Sequence, residues 1–82
     1  MFTKDLFGKR ILEQRTRCCE TQAVLAELLG VKKNHISEIE RGNRTTSAER
    51  IALICEHYKV SADYLLGLTD DPEPKYRAET DG

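Results

Sequence analysis

The sequence predicts an all-α fold, built as a compact bundle of five short helices. Apolar residues recur at intervals of three and four along most of the chain, which is the spacing of amphipathic helices. No segment shows the sustained alternation of β-branched and polar residues that is typical of a half-buried strand. A chain of 82 residues has room for one core and for no second module.

The first two helices are predicted from their apolar stripes and from the residues at their ends. Along the first helix, which runs to about Arg17, the buried face is formed by Phe7, Ile11 and Gln14. Thr21 can cap the second helix and Gly30 ends it, because Thr is favoured at N-caps and Gly just beyond the last turn. The second helix buries Leu25, Ala26 and Leu29.

The third, fourth and fifth helices follow after short connections. The third helix ends at Gly42, and its inward residues are Ile36 and Ile39. Ser47 and Ser61 can cap the fourth and the fifth helix through their hydroxyl groups. The fourth helix is predicted to direct into the core Ala48, Ile51, Ile54, Cys55 and Tyr58. The short fifth helix carries Tyr64 and Leu65.

The charge of the chain is divided unequally between its two halves. The net charge is −1, which by itself argues against nucleic acid as a partner. Residues 1–50, however, carry ten Lys or Arg and seven Asp or Glu, whereas residues 51–82 carry three and seven. Because salt confines a surface field to about 10 Å, an acidic half that faces away from DNA leaves the attraction of the basic half intact.

Several classes of protein are excluded by what the sequence lacks. There is no apolar run of about 20 residues to span a membrane and no secretory signal, so we expect a cytoplasmic protein. There is no Gly-rich phosphate loop, no cluster of metal ligands and no nucleophile paired with a base, so we expect no enzyme. The odd number of cysteines predicts neither a disulfide framework nor a metal site, and we expect no cofactor; these cysteines are Cys18, Cys19 and Cys55.

The most informative stretch is residues 21–42, where two short amphipathic helices meet at the turn around Gly30. Their narrow apolar stripes pack against the rest of the domain, which leaves the outer face of the third helix free. That face carries long or hydrogen-bonding side chains near its N-terminal end, where a helix in the major groove touches base edges. These side chains are Lys32, Lys33, Asn34, Ser37 and Glu38. Glu38 can accept from a cytosine amino group or pair with a nearby basic side chain.

Residues 7–67 resemble the lambda-repressor-like, XRE-type helix-turn-helix domain. The residues that carry the resemblance, at the spacing of that family, are Arg15, Thr21-Gln22, Leu25-Ala26, Leu29-Gly30-Val31, Ile36-Ser37, Ile39-Glu40-Arg41-Gly42, Ser47 and the run from Val60 to Gly67. Glu20 departs from the family, which usually has leucine there, and Cys19 replaces a common glycine. The resemblance implies a five-helix, lambda-repressor-like bundle in which helices two and three form the helix-turn-helix.

The resemblance also implies a function, namely a transcriptional regulator, most often a repressor, that binds a (pseudo)palindromic double-stranded DNA operator with its third helix in the major groove. Side chains that would contact phosphates are Gln22, His35, Arg41, Asn43 and Arg44. His35 can equally lie on the flank of the helix. Arg15 and Glu40 correspond to a structural ion pair of the family that ties the first helix to the third.

The same resemblance leads us to expect a homodimer. Two half-sites, each read by one small domain, require two-fold symmetry, and Tyr64 and Leu66 of the fifth helix are expected to face the partner. The expected organisation is an N-terminal extension at 1–6, the DNA-binding domain at 7–67 and an acidic, proline-containing tail at 68–82. The alternative is an antitoxin or a protein-interaction adaptor with the same fold, whose acidic tail binds a protein partner.

Overall fold

A computed structural model describes residues 1–74, and these residues form five α-helices and no strand. The helices are α1 (Lys4–Arg17), α2 (Gln22–Leu29), α3 (Lys33–Glu40), α4 (Ala48–Tyr58) and α5 (Ala62–Leu65). The all-α class and the five-helix architecture are therefore confirmed. Within this part of the chain, no helix has the length and apolarity needed to cross a membrane.

The helix ends are set by short-range hydrogen bonds. The hydroxyl groups of Thr21, Ser47 and Ser61 each accept from the backbone N–H three residues further on, at 3.2, 3.3 and 3.0 Å. Gly30, with φ 70°, ends α2, and Gly42, with φ 80°, follows α3. Both glycines adopt the left-handed conformation that most residues disfavour. The predicted caps of helices two, four and five and the predicted end of helix two are therefore confirmed, whereas α3 ends at Glu40, two residues before the predicted Gly42.

Within residues 1–74, contacts with the helices extend into both of the predicted end segments. α1 begins at Lys4, inside the predicted extension 1–6, because the Thr3 hydroxyl caps it by accepting from the Leu6 N–H at 3.1 Å. The start of the predicted tail, residues 68–74, lies against the helices, where the Pro72 carbonyl accepts from the Ser61 N–H at 2.9 Å. Residues 75–82 of that tail lie outside the described residues.

The core lies where all five helices meet. Its buried apolar residues are Phe7, Ile11, Leu25, Ala26, Leu29, Ile36, Ile39, Ile54, Cys55, Tyr58, Val60 and Leu65. The prediction for the start of α4 was wrong at Ala48, which is exposed because it is the first residue after the cap, and Ile51 is only half-buried. Each fully buried Ile, Leu or Phe side chain contributes about 1.5–3 kcal/mol, so this cluster is the main source of stability.

Arg10 fastens the C-terminal part of the fold to α1. Its guanidinium donates to the carbonyl oxygens of Tyr64 and Thr69 and pairs with the Asp70 carboxylate at 2.8 Å. The same group lies over the Tyr64 ring, 4.2 Å from its centroid, which adds a cation–π contact. Because the Arg10 side chain is only 11% exposed, its donors have to find protein partners. These contacts fix the four-residue helix α5 and the segment after it.

α1 and α3 are in close backbone contact at Gly8. A Cβ atom placed on Gly8 would lie 2.0 Å from the Ile39 carbonyl oxygen and 3.2 Å from the Glu40 Cα. The backbones touch directly, with no side chain between them. This contact sets the position of α3 on the domain, and with it the position of its outer face.

Gly8→Ala should destabilise the fold although alanine is the better helix former. Relative to glycine, alanine inside a helix favours folding by about 1 kcal/mol. The new methyl group, however, meets the Ile39 carbonyl oxygen, which cannot move without separating α1 from α3. We expect a net loss of about 1–3 kcal/mol in the free energy of unfolding, measured by urea titration. Gly30→Asn is the control, because Asn tolerates the left-handed conformation and a Cβ there has nothing within 4 Å. A Gly8→Ala protein as stable as the parent would contradict the close crossing.

Candidate nucleic-acid interface

The turn between α2 and α3 is held by hydrogen bonds from both sides. The Gly30 and Val31 N–H groups donate back to the Glu27 and Ala26 carbonyl oxygens at 3.2 and 3.0 Å. Arg50 of α4 donates through its Nε to the Leu29 carbonyl at 3.3 Å and so satisfies a carbonyl at the end of α2. No local pattern in the sequence indicated this Arg50 contact. Together these bonds fix the angle between the two helices.

α3 has one buried face and one face open to solvent. Ile36 and Ile39 are fully buried on the inner side. The predicted base-contacting residues Lys32, Lys33 and Asn34 are exposed at the start of the helix, and Ser37 is half-buried one turn later. The side chains of these four residues make no hydrogen bond or ion pair with any other part of residues 1–74. Their polar groups are therefore available to an external partner.

A buried carboxylate connects the three helices around this face. Glu40, whose side chain is 6% exposed, accepts from the Arg15 Nε at 2.7 Å and from the Arg15 Nη2 at 3.0 Å. The hydrogen bonds to Glu40 raise the pKa of Arg15, although burial acts in the opposite direction. Gln22, at the start of α2, donates its Nε2 to the same carboxylate at 2.9 Å. The amide predicted to contact phosphate is thus held in one orientation at a helix N-terminus.

His35 lies on the flank of α3 and contacts the loop before α4. Its Nε2 is 3.2 Å from the Thr46 hydroxyl oxygen. Burial, followed by the charges of Arg44 and Arg50, lowers the pKa of His35, which favours a neutral ring. A cleft of about 340 Å³ adjoins His35. It is lined by Val31, Lys32, Asn34, His35 and the exposed Arg44. Basic side chains from the start of α3 and from the following loop therefore border one depression.

Glu38 does not present a free carboxylate. It pairs with Arg41 and accepts from the Asn43 Nδ2 at 2.9 Å. These hydrogen bonds, first that from Asn43 and then that from Arg41, lower the pKa of Glu38. The sequence left two alternatives for Glu38, a bond to a cytosine amino group or a pair with a nearby basic side chain. In the structure Glu38 pairs with the basic residue Arg41, and both Arg41 and Asn43 were predicted to contact phosphates.

The residues predicted for the dimer interface lie half-buried on and after α5. Tyr64 and Leu66 both pack against the core, and Arg10 covers one face of the Tyr64 ring. Next to them, the N-terminal amino group of Met1 donates to the Gly67 carbonyl at 3.0 Å. The side chains of Met1 and Leu68 are exposed.

Sequence reasoning missed the role of Glu20. Its carboxylate accepts from the Tyr58 hydroxyl at 2.8 Å and lies 2.7 Å from the His57 Nε2. Burial raises the pKa of Glu20, but the bonds to Tyr58 and His57 outweigh it and the net shift is downward. A buried tyrosine hydroxyl needs a polar partner, and this requirement at Tyr58 was the signal that could have explained a carboxylate in place of the family's leucine.

Comparison with known proteins supports the helix-turn-helix assignment. The helix-turn-helix family HTH_3 matches residues 21–65, from the cap of α2 to the last residue of α5. The HTH-type transcriptional regulator YobD of Bacillus subtilis (strain 168) is 33% identical over 70 residues, which are 85% of this chain and 62% of YobD. The HTH-type transcriptional regulator ImmR of the same organism is 38% identical over 60 residues, which are 73% of this chain and 47% of ImmR. The chain thus spans less than two thirds of each relative.

A similar structure is that of the P22 c2 repressor, solved in complex with the synthetic operator 9T in the presence of Tl⁺. The TM-score is 0.69 at 32% sequence identity, and the match covers 73% of this chain and 91% of that chain. By name, two of these proteins are transcriptional regulators and the third is a repressor, in agreement with the class that the sequence predicts.

A double-mutant cycle tests the contribution of the buried ion pair. Arg15→Met or Glu40→Met alone leaves a buried charge without its partner and should cost about 3 kcal/mol of unfolding free energy, whereas the double variant should cost clearly less than the sum. Chemical denaturation of the four proteins provides the measurement. Asp70→Asn is the control, because the Asp70 side chain is fully exposed and its pair with Arg10 should contribute little to the free energy of unfolding. Strictly additive losses would contradict the coupling.

Proposed function

This chain belongs to the helix-turn-helix family, of the lambda-repressor-like XRE type, and we propose that it represses transcription by binding a (pseudo)palindromic operator in double-stranded DNA as a homodimer. The single observation that carries the proposal is that, within residues 1–74, four of the five outer-face side chains of α3 have no hydrogen-bond or ion-pair partner, Glu38 being the fifth. Lys32, Lys33, Asn34 and Ser37 have no side-chain partner within residues 1–74, while the opposite face of the helix is locked into the core.

Reading of the base sequence is assigned to the first turn of α3. Asn suits the adenine edge and Lys the guanine edge in the major groove, so Asn34 and Lys33 have the chemistry that direct readout requires. The N-terminal end of a recognition helix is also the part that contacts base edges. The P22 c2 repressor, which was solved on an operator, supports DNA binding by a domain of the same fold.

Contacts to the DNA backbone are assigned to residues on both sides of α3. Gln22 lies at the N-terminus of α2, where the amide side chain and the helix N–H groups suit a phosphate oxygen. Arg41, Asn43 and Arg44 follow the C-terminal end of α3, and His35 lies on its flank. Such contacts position the domain without regard to sequence.

The homodimer follows from the proposed operator. One domain reads one half-site, so a palindromic site with about 34 Å between half-site centres needs two copies related by a two-fold axis. We assign the contact to Tyr64 and Leu66, beside the exposed Leu68. The DNA-binding domain proper is assigned to residues 7–67, and any contact with a protein partner is assigned to the acidic tail, residues 68–82.

Selection of bound duplexes from a random DNA pool tests the function as a whole. Recovery of an enriched palindromic motif supports a sequence-specific regulator. Recovery of no motif would contradict it and would favour the adaptor alternative, which needs no base reading.

Substitutions at the two kinds of site should separate base reading from phosphate binding. Asn34→Ala should cost about 1–3 kcal/mol on the selected duplex and far less on random DNA, because this side chain is assigned to a base edge. Arg44→Ala should weaken binding to both duplexes alike and lower the salt slope by about one unit for each phosphate interaction that the substitution removes. Titrations of both duplexes at several salt concentrations measure the two effects. Equal losses for Asn34→Ala on both duplexes would remove α3 as the reading element.

Tyr64→Ala should weaken the homodimer. Truncation of an interfacial aromatic residue commonly costs about 2 kcal/mol, which is about a thirtyfold rise in the dissociation constant. Sedimentation equilibrium over a concentration series measures the change. Leu53→Ala is the control, because Leu53 is an exposed apolar residue on a different helix, α4. A parent protein that stays monomeric at high concentration and on DNA would contradict the dimer.

A further inference from the structure

The chain turns back on itself directly after α3. Gly42 adopts φ 80° and its N–H donates to the Ile39 carbonyl at 3.0 Å, while the Asn43 N–H donates to the Glu38 carbonyl at 3.0 Å. A Cβ at Gly42 would lie 2.1 Å from the Asp5 carboxylate oxygen and 3.2 Å from the Asp5 Cα, so the turn is packed against the start of α1. The backbone of Arg41, Gly42 and Asn43 therefore has a fixed position.

The Glu38 side chain fixes the two side chains of this turn as well. One carboxylate oxygen accepts from the Asn43 amide at 2.9 Å and the other accepts from the Arg41 guanidinium. The Glu38 side chain is 29% exposed and that of Arg41 is 58% exposed, so Arg41 keeps the larger exposed fraction. Each carboxylate oxygen already has a donor from its own chain.

We propose that Glu38 is a positioning residue that orders Arg41 and Asn43 as a clamp for a backbone phosphate of DNA, and that it does not read a base. The inference rests on the proposed function and assigns a role to one residue within it. A guanidinium has five N–H donors and an amide has two, and each of these groups uses only one for Glu38 in the bonds described. The remaining donors are available to the strong acceptor oxygens of a phosphate, to which Arg binds well.

Preordering is the contribution that Glu38 makes to the clamp. Long side chains lose rotamer freedom when they bind, and side chains already held in the bound geometry lose less. An exposed ion pair such as that between Glu38 and Arg41 adds little to folding stability, so its main measurable consequence lies in binding.

The charge of Glu38 makes the test decisive. Removal of an acidic side chain from a DNA-facing surface strengthens the long-range attraction to the polyanion, so charge alone predicts tighter binding. Disruption of a phosphate clamp predicts weaker binding. The two effects have opposite signs, and the direction of the change identifies which one dominates.

The experiment compares Glu38→Ala and Glu38→Gln in the full chain on the selected duplex and on a random duplex. We expect Glu38→Ala to weaken both by the same factor, about five- to twentyfold, without a change in melting temperature of the protein. Glu38→Gln keeps an acceptor for one of the two donors and should recover part of the loss. Asn34→Ala is the matched control on the same helix, with its loss expected on the selected duplex only.

Three outcomes for Glu38→Ala would overturn the clamp. A loss of affinity confined to the selected duplex would make Glu38 a base reader, and tighter binding to both duplexes would make it a competitor of phosphate. Unchanged affinity for both duplexes would also contradict the proposal. These outcomes leave the proposed function intact as long as the parent protein prefers the selected duplex. A parent protein that binds neither duplex overturns the proposed function and the clamp together.

Discussion

The Glu40 carboxylate is the constraint on which the arrangement of the helix-turn-helix depends. It belongs to α3, it is almost fully buried, and it is satisfied by Arg15 from α1 and by Gln22 from α2. A buried carboxylate without hydrogen-bond donors is costly, so only an arrangement that brings all three helices to this point is tolerated. The orientation of α2 and α3 is thus set by electrostatics as well as by the apolar core.

The close contact at Gly8 also restricts the position of α3 relative to α1. Where Glu40 sets the rotation of α3, the missing side chain at Gly8 sets its distance from α1, because the Ile39 carbonyl occupies the space that a methyl group would need. Apolar packing alone leaves some freedom of sliding between helices, since hydrophobic contact is not directional. The polar bonds and the steric contact together remove that freedom.

Features that depend on near neighbours were predictable from the sequence, and features that depend on distant ones were not. Thr21, Ser47 and Ser61 act as caps through bonds to residues three positions away, and apolar spacing indicated the buried face of α3. The Arg10 contacts join residues 54 to 60 positions apart, so nothing in the local pattern indicated that Thr69 and Asp70, at the start of the tail, would contact α1. The outer face of α3 was predictable because the apolar residues assign the opposite face to the core. The pairing of Glu38 with Asn43, however, depends on the geometry of the turn after α3, which composition does not specify.

The division of α3 into two independent faces has a consequence for how such a protein changes over generations. Ile36 and Ile39 carry the packing, whereas the side chains of Lys33, Asn34 and Ser37 contribute no hydrogen bond to the rest of residues 1–74. Exchange of exposed residues that have no such role usually alters stability by less than about 0.5 kcal/mol. After duplication of the gene, single substitutions can therefore accumulate at these positions while every intermediate sequence still encodes a folded domain. Under the proposed function, such substitutions change the DNA that each copy recognises.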